Sequence, residues 1–139
     1  MIWILSIALV LVVALILLRI AKGAGGFGLS MNVLLAKHAW DNLGSAAQDQ
    51  VRLKAQEILA RASGPTWELL ESPPQAPWKY SVLALAMLEM DMPPALPGEK
   101  WVAVEKPFNI RADDPRLSLA QKRIERVHGV RVTLGTPFI

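Results

Sequence analysis

Residues Ile2 to Leu18 read IWILSIALVLVVALILL, and Ser6 supplies the only polar side chain. As an α-helix this stretch is about 26 Å long, close to the roughly 30 Å thickness of a bilayer's hydrocarbon core. Every face of such a helix is aliphatic, whereas a helix on the surface of a small domain normally has a polar outer face. The stretch therefore predicts a transmembrane helix, which we assign to residues 1–22.

The residues at the two ends of this stretch predict its orientation. Trp3 near one end, and Arg19 and Lys22 at the other, are residue types that are found at membrane interfaces. Because lysine and arginine are enriched on the cytoplasmic side, we expect the N-terminus outside and the remaining chain in the cytoplasm. A cleaved secretory signal is the alternative, but no basic residue precedes Ile2. The prediction is a retained signal-anchor in a single-pass membrane protein.

The rest of the chain divides by composition. Residues 23–29 contain the run GAGGFG and predict a flexible hinge, because glycine restricts the backbone least. Residues 30–63 have apolar side chains at helical spacing, and Ser45 and Gln48 match a capping box. All ten prolines lie in residues 64–139, which we expect to form a small α+β domain punctuated by turns. The predicted fold class is mainly α, with strands only in this last part.

The most clearly defined helix begins at Asp114 and Pro115. Aspartate is a preferred N-cap, and proline is favoured at the first helical position. The helix is expected to run to His128, because Gly129 follows it. Stretches rich in β-branched residues lie on either side, at 100–106 and 130–134, and predict two short strands that pair with each other.

Several classes of function are excluded or disfavoured by composition. The chain has no cysteine, so it carries no disulfide, thiolate zinc site or thiol nucleophile. It contains no nucleophile elbow, phosphate-binding loop or dinucleotide fingerprint. A formal net charge of +3 without a recognised motif argues against nucleic-acid binding. We expect no cofactor, and a non-enzymatic role is favoured.

Two residue pairs have a spacing that metal sites on helices use. His38 and Asp41 are three positions apart, and Glu125 and His128 repeat that spacing. Such pairs on facing helices can share a metal ion, although the first pair has an aspartate and the reversed order. The alternative is that each histidine is an ordinary helix residue. These four residues are the candidates for a metal-dependent module, and no bound metal is expected.

Two further groups are candidates for contact with partners or lipid. The apolar run from Val82 to Leu88 lies among aromatic and methionine residues, and it predicts either a core helix or a docking helix. The final helix is basic, so it could bind anionic headgroups or face the acidic middle of the chain. The candidate contact residues are Trp78, Tyr80, Leu83, Met87, Arg116, Lys122, Arg123 and Arg126.

The sequence as a whole favours an accessory or interaction subunit held by a membrane anchor. Its soluble domain is expected to dock on a larger membrane complex or to associate with copies of itself. Its partners would then be the lipid bilayer and that complex or homo-oligomer. The alternatives are a small membrane-tethered enzyme or metal-dependent module, and a peripheral domain that binds anionic lipid.

Overall fold

A computed structural model describes residues 2–71, 76–104, 110–111 and 113–134, apart from the side chains of residues 17–27. Within these ranges the chain forms five helices, which are α1 (Ile2–Asp41), α2 (Ser45–Arg61), α3 (Trp67–Glu71), α4 (Ala76–Glu89) and α5 (Pro115–His128). The prediction of a mainly α chain is confirmed.

The second half of α1 lies at the centre of the fold. Its residues Val33 to Ala36 are fully buried, so this part of the helix is covered on every side. Both α4 and α5 pack directly against α1, while α2 and α3 pack against α4. We call the described residues from Gly28 to Leu134 the helical domain. The two helices that pack on α1 contribute buried side chains at helical spacing. These are Val82, Leu83, Ala86 and Met87 from α4, and Leu117, Ala120 and Ile124 from α5.

The backbone of α1 is helical across residues 23–28, where the sequence predicted a hinge. A glycine costs a helix about 1 kcal/mol relative to alanine, so the run weakens the helix without ending it. Gly28 has a packing role instead, because a Cβ atom added there would come within 2.6 Å of the Val102 Cγ1 atom. The predicted hinge is therefore corrected to a continuous helix, in which the last glycine admits a neighbouring segment.

The predicted N-terminal cap is confirmed for α5 and is wrong for α2. The Asp114 side chain accepts a hydrogen bond from the backbone N–H of Arg116, and Gly129 ends α5 in the left-handed conformation, so this prediction is confirmed. The capping box at Ser45 does not form, because Gly44 is the N-cap residue of α2. Gln48 instead donates its side-chain amide to the carbonyl of Trp40 in the last turn of α1.

The two predicted strands have no regular secondary structure where they are described, at 100–104 and 130–134, and no β-structure forms in the described part of the chain. The Asn32 side chain bonds both backbone groups of Val102, at 2.6 Å to the carbonyl and 2.7 Å from the N–H. At Val132, Gln121 donates to the carbonyl, and Glu125 accepts from the N–H. The expected C-terminal α+β character is therefore wrong, because helix side chains take the hydrogen bonds that a neighbouring strand would have supplied.

Where side chains are described, the structure has no helix that is both long enough and apolar enough to cross a membrane. This finding contradicts the predicted single-pass topology, with its N-terminus outside and its domain in the cytoplasm. The membrane anchor assigned to residues 1–22 is likewise unsupported.

Candidate functional site

The first turns of α1 form an exposed apolar rod, which we call the apolar arm and define as Ile2–Ile16. Its large hydrophobic side chains are between 47% and 81% exposed. No charged side chain lies within it. The one polar side chain, that of Ser6, donates to the carbonyl of Ile2 at 3.0 Å, so it offers little to an outside partner. The arm thus presents a nearly pure aliphatic surface on all sides.

Exposure of the arm contrasts with complete burial further along the same helix. From Gly28 to Ala36 every residue of α1 is buried. Typical monomeric proteins keep their largest exposed apolar patch to about 300–600 Å². The arm exceeds this, since its aliphatic surface is on the order of 1,000 Å² or more. An exposed apolar surface of this size is typical of a site that contacts another protein or a membrane.

The residues predicted at a membrane interface have different places in the structure. Trp3 lies near the tip of the arm and is 75% exposed. Arg19 and Lys22 fall in the segment whose side chains lie outside the described part. Trp3 is therefore part of the apolar arm.

The four candidate metal ligands have other partners. His38 lies within reach of the Asn42 amide, and Asp41 pairs with Lys37 on the same helix. The Glu125 carboxylate accepts from the backbone of Val132, and His128 contacts Glu99. No group of three or more histidine or carboxylate side chains in the described residues is arranged to hold a metal ion. Burial lowers the pKa of His38, and the charge of His128 acts in the same direction.

The candidate contact residues on α4 lie mainly inside the domain. Tyr80, Leu83 and Met87 are buried, and Trp78 is partly buried against the core. The sequence left open whether this stretch forms a core helix or a docking helix. In the structure α4 packs as a core helix. The longest apolar run outside the arm is therefore occupied by intramolecular packing.

The basic residues of α5 form two groups. Arg116 pairs with Asp114, and Arg123 pairs with Glu99, at 2.6 and 2.9 Å respectively. Lys122 and Arg126 are exposed on the outer face, and no described carboxylate lies within ion-pair distance of either. The predicted internal pairing thus holds for half of this set.

Glu99 fastens the segment after α4 to α5. Its carboxylate accepts a hydrogen bond from Arg123, and the same oxygen lies 3.0 Å from the His128 Nε2 atom. The hydrogen bond with His128 and then that with Arg123 hold the pKa of Glu99 below its ordinary value of 4.5. The ionised form of Glu99 therefore contributes to stability above pH 4.5, and this contribution disappears as the pH falls through the lowered pKa.

Replacing Glu99 with glutamine is expected to lower the free energy of unfolding by about 1–3 kcal/mol at pH 7, because charge-assisted hydrogen bonds are lost. The difference between wild type and E99Q should shrink as the pH falls below 4.5, because the unfolded state then binds a proton that the folded state does not. It should be lost once the pH is below the lowered pKa of Glu99, where both states are protonated. Urea unfolding from pH 7 to pH 3 measures this. The control is E57Q, which removes an exposed pair with Lys54 and should cost less than about 0.5 kcal/mol. A difference for E99Q that stays constant with pH would contradict the role of its charge.

A cluster of cations and aromatic rings lies where α1, α2, α3 and α4 meet. The Lys79 ammonium group lies 5.8, 5.7 and 5.6 Å from the ring centres of Trp40, Trp67 and Tyr80. Arg52 approaches the Trp40 ring to 5.8 Å, and Lys37 approaches the Tyr80 ring to 5.5 Å. We call these six residues the basic–aromatic cluster.

The sequence did not reveal this cluster. The two indole rings are 6.3 Å apart and come from different helices, with Trp40 on α1 and Trp67 on α3. The cations come from α1, α2 and α4, so no spacing along the chain connects them. Only the packing of four helices brings the six residues together.

Comparison with known proteins gave no match to a family model, to a curated protein or to a solved structure.

Proposed function

We propose that this protein is a non-enzymatic interaction subunit that assembles with further copies of itself through the apolar arm. The observation that carries the proposal is the exposure of aliphatic side chains along every side of Ile2–Ile16, beside a domain that is fully packed. A helix that is hydrophobic all round is stable in water only when other apolar surfaces cover it.

The arms of further copies of the chain are well suited to pack against the apolar arm. Each copy supplies an aliphatic rod of equal length, and no charge within the arm opposes contact between copies. A stable interface between proteins buries about 1,600 Å² in total, and two arms together offer surface of that order. Because a pair of helices covers only one stripe of each, the arm favours an assembly of several copies over a dimer.

The helical domain has its own packed core, so it can remain folded while the arms associate. Its core is continuous from α1 to α5, and none of the buried polar side-chain atoms in the described residues lacks a hydrogen-bond partner. The arm continues the central helix of that core, so the position of the arm is coupled to the orientation of the domain. Assembly of the arms would therefore display several domains around a common bundle.

Replacing Leu5, Leu9 and Val12 with glutamine is expected to raise the dissociation constant of the assembly at least a hundredfold. Each substitution removes about 2 kcal/mol of apolar burial, and glutamine retains good helix propensity. Light scattering after gel filtration of the intact chain measures the mass of the particles. The wild type should elute as several copies and the triple variant as a monomer at the same concentration.

A matched control changes three exposed leucines outside the arm. Leu53, Leu69 and Leu88 are exposed on α2, α3 and α4, and their replacement by glutamine should leave the particle mass unchanged. Far-ultraviolet circular dichroism checks that both variants stay folded. A wild-type chain that is monomeric at micromolar concentration would overturn the proposal, and so would equal dissociation of the two variants. Monomeric insertion into lipid vesicles would also overturn it.

A further inference from the structure

We propose that the basic–aromatic cluster binds a small tetrahedral oxyanion of the phosphate type between Lys37, Arg52 and Lys79. This site is independent of the apolar arm, because its residues lie on the far half of α1 and on α2, α3 and α4.

The aromatic rings fix the Lys79 ammonium group without neutralising it. Three ring centres lie within 6 Å of it, and all three rings are buried. A ring attracts a cation through its quadrupole, which leaves the full positive charge in place. None of the described carboxylates lies within ion-pair distance of this ammonium group. Lys79 is thus a positioned donor whose charge lacks a direct counterpart.

The surroundings of Lys79 place further positive charge nearby. Burial is the main cause that lowers the pKa of Lys79, and the Glu71 carboxylate opposes it. The charges of Lys37 and Arg52 lower this pKa further, and Asp41 raises it. Lys37 lies over the Tyr80 ring and Arg52 over the Trp40 ring, and Lys79 contacts both of these rings, so three like charges lie around the same rings and repel one another. An anion bound among the three cations would relieve that repulsion, because it is attracted to each of them.

Lys37 and Arg52 each pair with an aspartate, and a bound anion could replace these carboxylates. Lys37 pairs with Asp41 on its own helix, and Arg52 pairs with Asp49 on its own helix. The carboxylates of Asp41 and Asp49 are 48% and 66% exposed, and exposed pairs of this kind contribute little to stability. A multiply charged anion can therefore take their place. The guanidinium group of Arg52 adds a planar pair of donors that suits phosphate oxygens.

The test is calorimetric titration of the intact chain with inorganic phosphate at constant ionic strength, with chloride as the replaced ion. We expect saturable binding to the wild type. Binding should weaken at least tenfold in K79M, in which an unbranched apolar side chain still covers the rings. The control is K54M, whose lysine pairs with Glu57 and Glu89 and lies outside the cluster, and it should bind as the wild type does.

A second variant keeps the test decisive if K79M does not fold. R52Q changes a partly exposed side chain at the rim of the cluster, and it should also weaken phosphate binding at least tenfold. Absence of saturable binding to the wild type would overturn the proposal. Equal binding by K79M or R52Q, or equal weakening in K54M, would overturn it as well, because the anion would then respond to overall charge and not to this cluster.

Discussion

Replacing Leu34 with alanine is expected to lower the free energy of unfolding by about 3 kcal/mol, which is the scale for cavities made by removing a buried leucine. Leu34 lies in the fully buried stretch of α1, against which both α4 and α5 pack. The loss should therefore weaken the whole domain in one cooperative transition. Urea unfolding followed by circular dichroism, at one fixed protein concentration, measures this.

The control for this substitution is Leu53→Ala on α2. Leu53 is 66% exposed, so its truncation creates no cavity and should change the free energy of unfolding by less than about 0.5 kcal/mol. Similar losses for the two variants would show that α1 is not the centre of the core. Two separate unfolding transitions in the wild type would contradict a single packed domain.

Replacing Asn32 with alanine is expected to cost about 2–3 kcal/mol, because both backbone groups of Val102 then lose their partner. Asn32 is buried on α1, and its amide donates to the Val102 carbonyl and accepts from the Val102 N–H. It is the contact that holds the segment after α4 against the central helix, next to Gly28. Amide hydrogen exchange at Val102 should accelerate together with the fall in stability.

Asn42 provides the matched comparison for Asn32. Its amide bonds the carbonyl of His38 within α1 and is exposed. Asn42→Ala should therefore lower the free energy of unfolding by less than about 1 kcal/mol and leave exchange at Val102 unchanged. If Asn32→Ala had no larger effect than Asn42→Ala, the Val102 segment would not be fixed by this side chain.

The features that the sequence predicted correctly are those encoded by neighbouring residues. Asp114, Pro115 and Gly129 define α5 because capping depends on residues a few positions apart. The apolar character of residues 2–16 is visible in the same local way. Its interpretation as a membrane crossing was not supported, because local hydrophobicity does not specify what covers a helix.

The features that the sequence missed depend on contacts between distant residues. The segments at Val102 and Val132 look like strands by composition, but the side chains of Asn32, Gln121 and Glu125 make hydrogen bonds to their backbone groups. By composition the glycines near residue 28 resemble a linker, but in the structure Val102 packs against Gly28. Long-range packing decides such cases, because intrinsic propensities differ by only about 1 kcal/mol per residue.

The proposed assembly gives the two halves of α1 separate roles. The second half, which is buried from Gly28 to Ala36, organises the domain, and the exposed arm would join one copy to another. Because the backbone of α1 is helical throughout, the arm cannot fold back onto its own domain without breaking the helix. The proposed association between copies would therefore cover this aliphatic surface.

Cysteine cross-linking tests this claim most directly, because the chain has no cysteine of its own. In the intact chain with Leu9→Cys, mild oxidation should join copies through a disulfide in aqueous buffer at micromolar concentration. Leu53→Cys, at an equally exposed position outside the arm, should remain mostly unlinked. Efficient cross-linking at Leu9 alone is the predicted result, whereas equal cross-linking at both positions, or none at Leu9, would contradict assembly through the apolar arm.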